Sequence, residues 1–111
     1  MSSTNVNLYI DQGITYGSRV MVCYRNDTPV DLTGCTVAVT FRRSLTSTIA
    51  HTFTVVMEDA VNGTILLTLT SDQTAALGAG RYVFDGEFTV PTGQVYSFIK
   101  GMVTVYPRVT R

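Results

Sequence analysis

The sequence predicts an all-β chain, an antiparallel β-sandwich of about seven strands with one short helical turn before the sixth strand. Three features point there. Thr and Val, both β-branched, supply 18 and 15 of the 111 residues, and their stiff χ1 suits a pleated surface better than a helix. Apolar and polar residues alternate in short runs along most of the chain, the period of a strand with one buried face. Clusters of Gly, Pro, Asn and Asp punctuate those runs, and such residues supply turn geometry.

The first six residues are polar, and the reading takes 1–6 as a mobile segment and 7–111 as a single domain. The first strand is expected at Asn7 to Asp11, with Leu8 and Ile10 on one face. Gly13 and Gly17 follow, then a second strand from Arg19 to Arg25. Asn26-Asp27-Thr28-Pro29 is a turn signal. The third strand is Cys35 to Arg42, where Val37, Val39 and Phe41 alternate with Thr36, Ala38 and Thr40. Residues 43–48 are polar and aperiodic, so they read as a loop. The fourth strand is expected from Ile49 to Glu58. Asp59 to Gly63 then forms a hairpin, because Asn62-Gly63 offers the positive-φ positions it needs. The fifth strand is Thr64 to Thr70, with Ile65, Leu67 and Leu69 inward.

Ser71 to Leu77 is the one helical signal. Ser71 is a candidate cap, Asp72 suits the positive end of the helix, and Gly78 or Gly80 ends it. The sixth strand runs from Arg81 to Val90. It joins the seventh, Val95 to Tyr106, through Pro91-Thr92-Gly93-Gln94. Gly101 interrupts the seventh strand, and a bulge is expected there. The helical turn followed by Gly80-Arg81-Tyr82 matches the place where an immunoglobulin-like sandwich carries a tyrosine corner. Tyr82 is therefore the expected corner residue. Two positions on, where antibody domains place a cysteine, this chain has Phe84, so no inter-sheet disulfide is expected. Cys23 and Cys35 read as small buried thiols.

Charged residues are 14% of the chain and the formal net charge is zero, against about 25% charged in ordinary soluble domains. A surface so poor in charge and rich in Thr suits packing against neighbours. The seven Arg and one Lys are scattered, which argues against nucleic-acid binding. No secretory signal opens the sequence and no run is long enough to span a membrane. Synthesis in the cytoplasm is expected.

Chemistry is sparse. His51 is the sole histidine, with no nucleophile arranged beside it in sequence. Asp85 and Glu87 share the strand face opposite Tyr82 and Phe84, as a solvated strand face does. No spacing resembles a metal site or a phosphate loop. The chain is expected to be non-enzymatic, with no cofactor and no metal. Tyr9, Tyr16, Tyr96 and Tyr106 exceed what so small a core accommodates, and Tyr favours interfaces. Those rings also allow sugar stacking, so a carbohydrate-binding or host-adhesion module is the alternative. The absence of Trp makes a glycan the less favoured ligand.

Several segments together resemble small β-sandwich structural proteins of tailed bacteriophages. They are Tyr9-Ile10-Asp11-Gln12-Gly13-Ile14-Thr15, Asp31-Leu32-Thr33-Gly34-Cys35-Thr36-Val37, Phe41-Arg42, Gly63 to Thr70, Thr74 to Leu77, Gly80 to Asp85, Gly101 to Val105 and Val109-Thr110-Arg111. The resemblance implies a virion subunit of baseplate, tail, neck or capsid-decoration type. Its partners would be other virion proteins, and it would be a homo-oligomer or present in multiple copies. The expected contact segments are the tail Tyr106 to Arg111 and the loop Arg42 to Thr48. Arg42, Arg43, Tyr106, Arg108 and Arg111 are the candidate interface residues, since a guanidinium offers several donors to a partner's carboxylates or carbonyls.

Overall fold

Period-two alternation turns one face of each long strand toward a common core. In the computed structural model, which describes residues 4–23 and 28–108, two sheets close over that core. The strands are β1 (Thr4–Asp11), β2 (Tyr16–Met21), β3 (Thr36–Arg42), β4 (His51–Thr52), β5 (Thr54–Asp59), β6 (Thr64–Leu69), β7 (Gly80–Thr89) and β8 (Val95–Tyr106). A short helix, α1 (Ser71–Ala75), precedes β7. One sheet has the order β1-β8-β7-β3-β4 and the other β2-β6-β5. Ile10, Val39, Phe41, Ile65, Leu67 and Val103 are wholly buried between them.

The chain is a β-sandwich, as expected, with several differences in detail. Among the described residues there are eight strands, because the expected fourth strand divides at Phe53. His51 and Thr52 pair with β3, while Thr54 onward pairs with β6 in the other sheet. The buried Phe53 ring marks the crossing, and its N–H donates to the Val39 carbonyl at 3.0 Å. β2 begins at Tyr16 and ends at Met21, earlier than expected at both ends. Tyr24 and Arg25 lie outside the described residues.

The first strand begins three residues before the expected Asn7. β1 starts at Thr4 and pairs in parallel with β8 along its whole length. Val6 packs partly buried against the core, so a polar-looking N-terminal stretch gains both backbone pairing and burial. This pair is also the one departure from an antiparallel sandwich. The helix cap is Thr70 rather than Ser71. Its hydroxyl accepts from the Gln73 N–H at 3.1 Å, and the Gln73 side chain accepts from the Thr70 N–H at 2.8 Å. This reciprocal box satisfies two orphan donors.

Finally, the bulge in β8 lies at Phe98, where the pairing slips between Gly86 and Glu87. The extra residue lets Phe98 and Ile99 both reach the core, which strict alternation forbids. A second slip lies between Met57 and Asp59 in β5. Gly101 serves a different purpose. Its φ is +152°, and a Cβ there would overlap the Val6 carbonyl oxygen on β1. The glycine is what allows β1 to lie against β8. Cys23 and Cys35 are both free thiols, half-buried rather than buried as expected.

Replacing Gly101 should therefore loosen the β1–β8 seam. Gly101→Ala combines an unfavourable φ with overpacking against backbone, together about 2–5 kcal/mol. Denaturant unfolding of the variant checks this, and a midpoint equal to the parent's would refute the role of the seam.

Candidate functional site

The outer face of the five-stranded sheet follows directly from register. One row across it reads Asn7, Met102, Val83, Arg42, and the next reads Asn5, Lys100, Asp85, Thr40, Thr52. The loop after β3 rises over this face. Arg42 shapes that loop by donating to the Ser47 carbonyl at 3.0 Å, and Leu45 stands 88% exposed. Between loop and sheet lies an open groove of about 390 Å³, lined by Thr40, Arg42, Leu45, Val83, Asp85 and Glu87 among others. It combines an apolar wall with one cation and two carboxylates. Toward the β1 edge, Tyr9 and Tyr106 stack with ring centroids 6.2 Å apart. Both remain about half exposed, at 57% and 47%.

One end of the sandwich is a dense knot of side-chain to backbone bonds around the α1–β7 connection. The Tyr82 hydroxyl donates to the Gly78 carbonyl at 2.8 Å, the backward bond of a tyrosine corner. Arg43 lies over the Tyr82 ring, 4.3 Å from its centroid, and donates to the Ala79 carbonyl at 2.9 Å. From the other side, the Gln12 amide donates to the Leu77 carbonyl at 2.6 Å. Gln12 also donates its own N–H to the Tyr106 carbonyl at 3.0 Å, and its side-chain oxygen accepts the Arg108 N–H at 3.3 Å. The buried Thr74 hydroxyl contacts the Ile14 carbonyl at 2.9 Å. Thus 77–80 is clasped between the loop after β3 and the junction of the β1–β2 loop with the C-terminal strand.

The candidate interface residues are placed as follows. Arg42 lines the groove. Arg43 is committed to the corner and not to the outer face, because the π face of Tyr82 and a carbonyl hold its guanidinium. Tyr106 stacks on Tyr9. The Arg108 side chain runs over Gly13, where a Cβ would come within 3.0 Å of its Cδ. Arg111 lies outside the described residues. Arg43 therefore flanks one side of the corner and Tyr106 and Arg108 the other. His51 packs against the rings of Phe41 and Tyr82, at 5.1 and 5.9 Å between centroids. Sequence reasoning missed Gln12, whose three bonds join segments far apart in the chain. It also missed the groove, although the shared face of Asp85 and Glu87 was its visible trace.

Among the described residues three groups titrate away from their ordinary values, none of them in the groove. Burial raises the Tyr16 phenol. The Glu58 carboxylate, 2.6 Å away, raises the Arg19 guanidinium. Hydrogen bonds from the Thr33 side chain and N–H hold the Asp31 carboxyl below the usual range. Among the described residues no group of three or more His, Cys, Asp or Glu is arranged to hold a metal, and no helix is long and apolar enough to cross a membrane.

Residues 4–91 match the family described as the BppU N-terminal domain. That stretch covers β1 through β7, and the chain belongs to this family. The family is that of a phage baseplate upper protein, so the chain is a phage virion protein of baseplate or tail type. No curated protein matches the chain. Among solved structures it is similar to a Listeria monocytogenes internalin-like protein, lmo2027, at 20% identity with a TM-score of 0.47. The likeness covers 90% of this chain and 27% of that one.

The corner predicts a graded mutational series. Tyr82→Phe loses one hydrogen bond, about 0.5–1.5 kcal/mol, whereas Tyr82→Ala empties a buried ring site and costs about 3–5 kcal/mol. Gln12→Ala removes two side-chain bonds and is expected to cost about 1–3 kcal/mol. Thermal and urea unfolding measure all three. A Tyr82→Ala protein as stable as the parent would sink the assignment.

Proposed function

We propose that this member of the BppU N-terminal domain family is an adaptor or decorating subunit of the baseplate or tail. It binds neighbouring virion proteins, is present in multiple copies and performs no catalysis. The observation that carries the reading is the outer face of the five-stranded sheet. It joins an open groove, an 88% exposed Leu45 and a half-exposed tyrosine pair on one surface. Single exposed apolar residues are ordinary, but several on one contoured face suit a protein partner. The non-enzymatic part is supported by His51, the sole histidine, which serves as a packing surface for two aromatic rings.

The way of binding follows from the charge pattern. Arg19 is paired with Glu58, Arg43 with the corner and Arg42 with its own loop. With the formal net charge at zero and these arginines engaged, contact rests chiefly on apolar burial and hydrogen bonds at short range. Thr40 and Thr52 on the same rows offer hydroxyls with little entropic cost to a partner.

Particle incorporation tests this. Leu45→Asp changes a side chain that packs on nothing, so the variant should melt within a few degrees of the parent. It should still be incorporated into particles at least about tenfold less well, because a desolvated carboxylate at the groove wall costs more than a leucine contact returns. Equal incorporation of Leu45→Asp and of Met102→Asp would argue against the outer face as the docking surface. Deletion of residues 107–111 should likewise leave a folded domain that assembles poorly.

A further inference from the structure

Every open sheet has two edges, and edges left unpaired are templates for another strand. Four strands end the two sheets here: β1 and β4 in one, β2 and β5 in the other. Three of them are blunted. β4 has only two residues. β5 is broken by the slip at Glu58 and carries Glu58 and Asp59 at its end. The continuation of β2 is covered, since the Val22 carbonyl accepts the Val30 N–H at 2.9 Å and Cys23 bridges to Pro29.

β1 is the least blunted of the four. It runs eight residues without a slip in register, its one charge is Asp11 at the very end, and Thr4-Asn5-Val6-Asn7-Leu8-Tyr9-Ile10 contains no charge and no proline. The direction of its backbone groups can be fixed. Gln12 donates its N–H to the Tyr106 carbonyl on β8, the Val6 carbonyl faces Gly101 on β8, and the Asp11 carbonyl turns away to accept from Ile14. Groups alternate along a strand, so Val6, Leu8 and Ile10 bond to β8. Asn5, Asn7 and Tyr9 then present their N–H and C=O groups to the open edge. Among the described residues no backbone bond outside the β1–β8 ladder reaches those three.

We propose that the open edge of β1 pairs antiparallel with β1 of a second copy of this chain, on a two-fold axis at Asn7. The choice of a second copy rests on self-complementarity. About Asn7, Asn5 faces the partner copy's Tyr9 and Val6 faces the partner copy's Leu8. Polar and amphipathic residues thus meet on the outer face and apolar ones on the core face. Each of the three outward residues forms one hydrogen-bonded pair, which satisfies all six open backbone groups on each strand. A two-fold interface brings each residue near its own duplicate, and the uncharged stretch from Thr4 to Ile10 meets no repulsion there. The partly buried Val6 gains a cover. The two five-stranded sheets become one continuous sheet across the axis. The pairing stands on backbone geometry alone and does not depend on the virion role.

Amide exchange of the full chain by NMR, at low and at high protein concentration, reads this out residue by residue. The amides of Val6, Leu8 and Ile10 should be protected at both concentrations. Those of Asn5, Asn7 and Tyr9 should exchange freely when dilute and gain at least about tenfold protection when concentrated. Sedimentation should show a monomer–dimer equilibrium over the same range. Asn7→Pro removes the central donor without touching a bond to β8, and should abolish the dimer. Asn7→Lys places two like charges on the axis, and its dimer should be weak at low salt and recover at high salt. A chain that stays monomeric at the highest concentration overturns the proposal. So does a dimer indifferent to both substitutions. Protection of Asn5, Asn7 and Tyr9 that appears only when another virion protein is added would also overturn it, in favour of a strand supplied by that protein.

Discussion

The architecture depends on β8 being paired along both of its edges. It lies between β7, to which a tight hairpin joins it, and β1, which reaches it from the opposite end of the sequence. A strand in that position has no free backbone, so its inward side chains Val103 and Val105 can be wholly or almost wholly dry. The seam with β1 is parallel and cannot be set by a turn. What permits it is the missing side chain at Gly101, opposite the Val6 carbonyl. Without that close approach β1 would leave the sheet, and Leu8 and Ile10 would leave the core with it.

The same seam organises the corner end. Because β1 and β8 run side by side, their C-terminal ends finish together, and Gln12 meets Tyr106 and Arg108 there. From that position its amide reaches Leu77. Arg43 holds the Ala79 carbonyl from the other side. Cations that composition leaves free to bind a partner are thus partly spent within the fold. Arg43 stacks on Tyr82, and Arg19 faces Glu58 across the other sheet. The surface offered to a neighbour is less charged than the sequence alone implies.

How much of this was legible in the sequence differs by the range of the interaction. Alternation located β3, β6, β7 and β8 to within a residue or so, because each is half buried and period two is a local signal. The hairpin turns were legible for the same reason, through Asn62-Gly63 and Gly93, whose φ values are +68° and +96°. The Tyr82 corner was legible because turn, glycine and tyrosine are adjacent in sequence. The parallel partner of β1 was not, since nothing in Thr4-Asn5-Val6 announces a strand some ninety residues away. The division at Phe53 was hidden because the alternation continues through it while the hydrogen bonds change sheet. Gly101 was noticed for the wrong reason: the residue is missing a side chain to admit a neighbour, and the bulge sits at Phe98.

These long-range features bear on the surface as well as the core. Strand edges in soluble proteins are blunted by charge, proline or bulges, and three of the four edges here follow that rule in different ways. β1 is the exception, and the lack of charge from Thr4 to Ile10 is the same property that lowers the overall charge of the chain. Low charge therefore need not be spread evenly or mean a generally sticky surface. It is marked along β1 from Thr4 to Ile10 and at its neighbours Met102 and Val83, while Lys100, Asp85 and Arg42 stand further across the same face and the other sheet carries its Arg19–Glu58 pair. A virion subunit must meet neighbours in fixed orientation, and a strand edge fixes orientation through backbone geometry where scattered charges cannot.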